Sequence, residues 1–213
     1  MPNQIGRPTG ETDTRQLLLH QARLLFAAQG YQQVSTRQIA QACDVNAAMI
    51  RYYFGDKAGL FEAVLIETIA PLSQLLQQQL HNPQQLPPAI FIQLYYQLMG
   101  QAPDLPKLIF RSLQDPASAE HQIVSRVFGR FLQQTLANLQ QILQRPGVLW
   151  PGLHAQNAVL SCLSLSVFPF LLPELVKNLL QIELTPAFLT QLGQHQQVLL
   201  QQGLGPVGDD THA

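Results

Sequence analysis

Ser35 to Phe61 reads STRQIAQACDVNAAMIRYYFGDKAGLF, and its punctuation decides the fold. Ser35 and Thr36 are good helix N-caps, because a side-chain oxygen there accepts from the orphan N–H groups of the first turn. Behind them Ile39, Ala40 and Cys43 fall on one side of a short helix. Asp44 follows at a turn, and Asp enters the left-handed backbone region more readily than most residues. Val45 points inward. Asn46 caps a second short helix over 47–53, and Ile50 and Phe54 share one face by their i,i+4 spacing. Ala47, Arg51, Tyr52 and Tyr53 occupy the opposite face. Gly55 stops this helix and Asp56 caps the next. Two short helices on a three-to-four-residue turn make a helix-turn-helix, whose second helix can enter a DNA major groove.

The same stretch carries a family pattern: Thr36-Arg37-x-Ile39-Ala40, then Val45-Asn46, Ile50-x-x-Tyr53-Phe54 and Lys57-x-x-Leu60, with Arg15, Leu18, Ala22, Phe26 and Gly30 upstream. Over residues 13–65 it resembles the TetR family of bacterial transcriptional repressors. The resemblance implies a DNA-contacting set of Thr36, Arg37, Asn46, Ala47, Ala48, Met49, Arg51, Tyr52, Tyr53 and Lys57. There are departures. Asp44 stands at the family's usual turn Gly and Asn46 at its usual Ser cap, both mild changes. Arg51 replaces a common Tyr, so the family's base preferences do not transfer. Ala58-Gly59 replaces Glu-Glu or Glu-Ala, which weakens the start of the following helix.

The composition suits this reading. The chain has 213 residues, 46% hydrophobic and only 12% charged, about half the usual charged share. Gln pairs such as Gln133-Gln134 and Gln140-Gln141 supply polar helix faces instead. Residues 1–60 carry six basic against four acidic side chains and the remainder six against nine. A slightly basic head on an acidic body fits a DNA-binding head of modest non-specific affinity. Cys43 and Cys162 read as buried small hydrophobes without a disulfide. The polar opening and the lack of a long unbroken apolar run point to a cytoplasmic chain outside the membrane.

Outward from the motif the domains follow. Residues 1–13 read as a flexible arm whose Gly6-Arg7-Pro8 either presents Arg7 to a minor groove or does nothing. The head spans 14–60, opening with a helix over 14–29 that buries Leu18, Ala22, Leu25 and Phe26. A helical body spans 61–204, and 205–213 is a disordered tail. A long helix over 56–81 contains Pro71, which should kink it. After a Pro-rich break at 82–88, helices are expected at 88–101, 104–113, 117–144, 152–171, 173–183 and 186–203. No period-2 run of β-branched residues occurs, so the fold class is all-α.

Catalytic and metal motifs are missing from the sequence. No two of the six histidines lie i,i+4 apart, and there is no HExxH, phosphate loop or GxSxG. Asp209, Asp210 and His212 form a tail cluster most simply read as bystanders. Neither cofactor nor resident metal is expected. The body's aromatics are either bundle core or the lining of an apolar pocket for a small hydrophobic effector, with Tyr95, Phe110, Arg111, Phe128, Phe131 and Phe168 as candidates. Arg111, set among apolar neighbours, reads as partly buried and in need of an acceptor. The small-residue helix 153–171 and the last helix suggest a homodimer interface through Ala158, Ser161, Cys162, Leu165, Phe188 and Leu192, as the resemblance also implies, with a simple intramolecular core as the alternative. The expected function is a ligand-responsive repressor on a palindromic operator. An activator, or a helical ligand-binding or interaction module without DNA binding, remain the alternatives.

Overall fold

Proline and glycine set most of the helix boundaries. The computed structural model describes residues 11–80 and 88–205, which carry ten α-helices and no strand. They are α1 (Glu11–Gln29), α2 (Thr36–Ala42), α3 (Ala48–Phe54), α4 (Lys57–Leu80), α5 (Pro88–Met99), α6 (Leu105–Ser112), α7 (Ala119–Leu143), α8 (Ala155–Leu171), α9 (Glu174–Leu180) and α10 (Pro186–Leu204). Pro88 and Pro186 open α5 and α10, where a missing N–H costs nothing. Gly30, at φ +85, ends α1 and donates its N–H to the Phe26 carbonyl at 2.8 Å. Helix α1 begins three residues earlier than expected. The Gly6-Arg7-Pro8 arm, most of the 82–88 break and the Asp209, Asp210, His212 cluster lie outside the described residues.

The chain forms two compact units, and their boundary differs from the one read at residue 60. The first runs to Glu67 and also takes in Leu108–Val127. Its core joins Leu18, Ala22 and Phe26 of α1 to Val34, Ile39, Ile50, Leu60, Phe61 and Leu65, with Leu108 and Val124 also buried. Phe26 and Phe61 meet edge to face at 5.1 Å, and Tyr31 packs 4.8 Å from Phe61. The inserted segment is tied in by polar contacts. Gln32 Nε2 donates to Glu120 at 2.6 Å, and Arg126 pairs with Glu62 at 2.7 Å. Arg111 corrects its sequence reading. It is exposed, because the buried stripe of α6 is Leu105, Leu108, Ile109 and Ser112, and Arg111 falls off that stripe. Its guanidinium lies over Gly30, 2.8 Å from where a Cβ would stand.

The second unit holds Thr68–Lys107 and the chain from Phe128 onward. Here α5 packs on α10 and α8, burying Ile92, Tyr96, Leu98 and Met99. The Tyr96 hydroxyl sits 2.7 Å from the Leu165 carbonyl and 2.6 Å from the buried Gln196 amide. One proton serves only one acceptor. With the Gln196 amide turned so that its nitrogen donates, both contacts are satisfied. At the far end of α10 the Trp150 backbone N–H donates to the Leu204 carbonyl at 2.8 Å.

Candidate nucleic-acid interface

The helix-turn-helix is fixed by the residues that punctuate it. Ser35 Oγ accepts from the Gln38 N–H at 3.1 Å and starts α2. Asp44 takes the left-handed conformation at φ 53. Asn46 Oδ1 accepts from the Ala48 N–H at 2.8 Å, so it serves the first turn although Ala47 is the formal cap. Gly55, at φ 80, ends α3, and Asp56 Oδ1 accepts from the Gly59 N–H at 2.8 Å to open α4.

Gly59 has a reason that sequence reading missed. A Cβ there would overlap the Phe54 carbonyl, so the residue that weakens α4 by propensity is required by the close approach of the preceding turn. Ile39, Ala40 and Ile50 are buried beneath the motif. Cys43 is buried too, its Sγ 3.7 Å from the Leu17 carbonyl, and burial pushes its thiol pKa up.

The outward face is what remains. Arg37, Asn46, Ala47, Ala48, Arg51 and Tyr52 are exposed, while Thr36, Met49, Tyr53 and Lys57 are half-buried. Tyr52, 69% exposed, is an unusually open aromatic, and Tyr53 braces it edge to face at 4.9 Å. Behind α3, the Arg15 guanidinium stands over the Phe54 ring at 5.4 Å and pairs with Glu67 at 2.7 Å. Lys57 is more committed internally than its sequence suggests. Its Nζ lies 4.3 Å from the Tyr31 ring centre and donates to the Gln32 carbonyl at 3.4 Å. Desolvation lowers its pKa, and nearby Glu120 opposes that shift.

The family model described as "Bacterial regulatory proteins, tetR family" matches residues 18–64, which span this motif and the helices that support it. Over those residues the chain is similar to TetR-family regulators. The chain is 26% identical over 184 residues to the "Probable HTH-type transcriptional regulator YttP" of Bacillus subtilis (strain 168), covering 81% of this chain and 84% of that one. It is 33% identical over 67 residues to the "HTH-type transcriptional repressor AcnR" of Corynebacterium glutamicum, covering 32% of this chain and 36% of the relative. Among solved structures, the ketosteroid transcriptional regulator KstR2 of Mycobacterium tuberculosis superposes with a TM-score of 0.71 at 12% identity, covering 95% of this chain and 98% of that one. That likeness concerns the fold.

The body residues named from the sequence are dispersed. Phe110 and Arg111 belong to the first unit; Tyr95, Phe128, Phe131 and Phe168 belong to the second. Tyr95 packs against Phe170 at 5.8 Å, and Phe128 against Phe131 at 5.7 Å. Phe110 and Phe168 are more than half exposed. A cavity of about 470 Å³ opens between α5 and α10 beside Gln93, Tyr96, Leu189 and Gly193, and none of the six candidates lines it. The interface set is also split. Ala158 and Cys162 are buried in the chain's own core, because the α8 side that carries them faces inward. Burial pushes the Cys162 thiol up to about 11. Ser161 is exposed, and Leu165, Phe188 and Leu192 are half-buried. Among the described residues no single helix is long and apolar enough to cross a membrane; α8 and α9, bent by 93° at their break, pass that test only as a pair.

Proposed function

We propose that this chain is a TetR-family, ligand-responsive repressor that holds a palindromic operator as a homodimer and releases it when a small hydrophobic molecule binds the second unit. The observation that carries the reading is the exposed face of α3 and its cap, where Ala47, Ala48, Arg51 and Tyr52 are open to solvent above a motif anchored by Ile39 and Ile50. Two such helices in a two-fold dimer address major grooves about 34–36 Å apart. Lys57 and Tyr53 serve the phosphate backbone, and Arg37 and Arg51 reach base edges. The cavity beside Tyr96 and the aromatic contacts of Tyr95 and Phe128 support a small-molecule role for the second unit. An effector dissociates the complex only by favouring a state with the wrong spacing between recognition helices.

Calorimetric titration with duplexes from the protein's own upstream region tests the first half of the reading. Binding of one dimer per palindromic site, abolished by scrambling one half-site, is the expected result. Equal affinity for intact and scrambled duplexes overturns operator recognition. The second half is tested with a panel of hydrophobic compounds. At least one should both raise the melting temperature and release the duplex, and a panel that does neither removes the effector from the reading.

A further inference from the structure

Helix α9 is inside out. Its seven residues include none that is buried, and Leu175, Leu179 and Leu180 are 68%, 75% and 60% exposed. Its one cation turns the other way. Lys177, with a side chain only 19% exposed, pairs with Glu174 at 2.6 Å and lines a cavity of about 360 Å³ with Lys107, Phe170 and Ile182 of the same unit. A surface helix packed only on its own chain would bury the leucines and solvate the lysine. The i,i+4 pair Leu175 and Leu179 makes a compact apolar stripe held away from the body, and such a stripe implies a cover.

The neighbouring surface indicates which cover fits. Helix α8, separated from α9 by two residues, carries Leu160 and Phe168 outward, 63% and 60% exposed. Helix α10 adds Val198 and Leu199. Neither α8 nor α10 contains a single Asp, Glu, Lys or Arg. A two-fold axis brings like groups near like, so a self-associating face must avoid formal charge near its centre. A lipid surface would instead select basic residues around the apolar stripe, and among α8, α9 and α10 Lys177 is the only Lys or Arg, turned inward. We infer that α9 is an interface helix whose Leu175–Leu179 stripe seats on a second copy of this chain, extending the contact face of α8 and α10. This rests on the homodimer reading above.

Sedimentation equilibrium of the full chain tests it with Leu175→Glu/Leu179→Glu and, for comparison, Phe168→Glu on α8. All three side chains are exposed, so the variants should keep the wild-type circular dichroism. A milder Leu175→Gln/Leu179→Gln pair guards against any loss of folding. The expected result is a wild-type dimer and a dissociation constant raised about tenfold or more by either leucine pair, the scale set by two Leu side chains leaving an apolar contact. If Phe168→Glu dissociates while both leucine pairs dimerise like the wild type, the dimer stands and the role of α9 is overturned. A wild type that stays monomeric across the concentration range overturns both. Flotation of the wild type, but not of the leucine variants, with phosphatidylcholine–phosphatidylserine vesicles also overturns the second copy as the occupant.

Discussion

Gly59 shows how one residue resolves two opposed effects. By propensity alone Gly59→Ala should strengthen α4 by about 1 kcal/mol. The added methyl, however, overlaps the Phe54 carbonyl, and forced overlap in a packed turn costs about 1–3 kcal/mol. The substitution should therefore lower stability, read as a fall in the urea midpoint at unchanged slope; a rise would show that the turn relaxes freely. Arg51 and Lys57 divide differently. Arg51 is exposed on α3, so Arg51→Ala should cost about 1–3 kcal/mol on the operator and relax preference at one base pair per half-site. Lys57→Ala should weaken all duplexes alike and reduce the salt slope by about one. Affinities on single-base operator variants at several salt concentrations separate the two, and an unchanged ranking with Arg51→Ala would make Arg51 a backbone contact.

At the scale of the element, α4 carries Pro71 in its interior. Pro71 has no N–H for the Glu67 carbonyl one turn earlier, and the division between the two compact units falls directly after Glu67. Pro71 is exposed, so Pro71→Ala replaces it without crowding a core. It should gain on the order of 1–3 kcal/mol by restoring the helix bond, measured by chemical denaturation. No gain would mean that the missing bond at Pro71 is compensated by other contacts. Helix existence was legible because proline, glycine and capping residues act locally: Ser35, Asp44, Asn46, Gly55 and Asp56 all do what their chemistry indicates. Orientation was less legible. Arg111 was placed by the apolar character of its neighbours, whereas the 3.6-residue period of Leu105, Leu108 and Ser112 leaves it outside. The small residues of α8 suit a dimer contact and an intramolecular contact equally well, and Ala158 and Cys162 are buried within the single chain. The partner of Lys57 depends on a turn folding back 25 residues away, which no local pattern encodes.

At the scale of the molecule, buried acidic groups set the alkaline limit. The Cys162 thiol rises from 9.0 to about 11 through desolvation, and burial raises Tyr95 and Tyr96 as well. A folded pKa above the unfolded one means that the unfolded chain loses its proton first. The contribution is therefore complete below pH 9 and is lost as pH climbs toward 11, at about 1.4 kcal/mol per pH unit for Cys162. Denaturation at stepped pH should show stability falling from about pH 9 upward, and a flat profile to pH 11 would contradict the burial of these groups.

The inclusion of Leu108–Val127 in the first unit has a practical consequence for anyone who would dissect the protein. Its DNA-binding half is not a module that a stop codon can release. A fragment ending near residue 67 would retain every residue of the family match at 18–64 yet lack Leu108 and Val124 from its core and the tethers from Glu120 and Arg126. Such a fragment should show helical far-ultraviolet dichroism without a sharp melting transition. Grafting the head onto a foreign body should succeed only when the donor segment 108–127 travels with it.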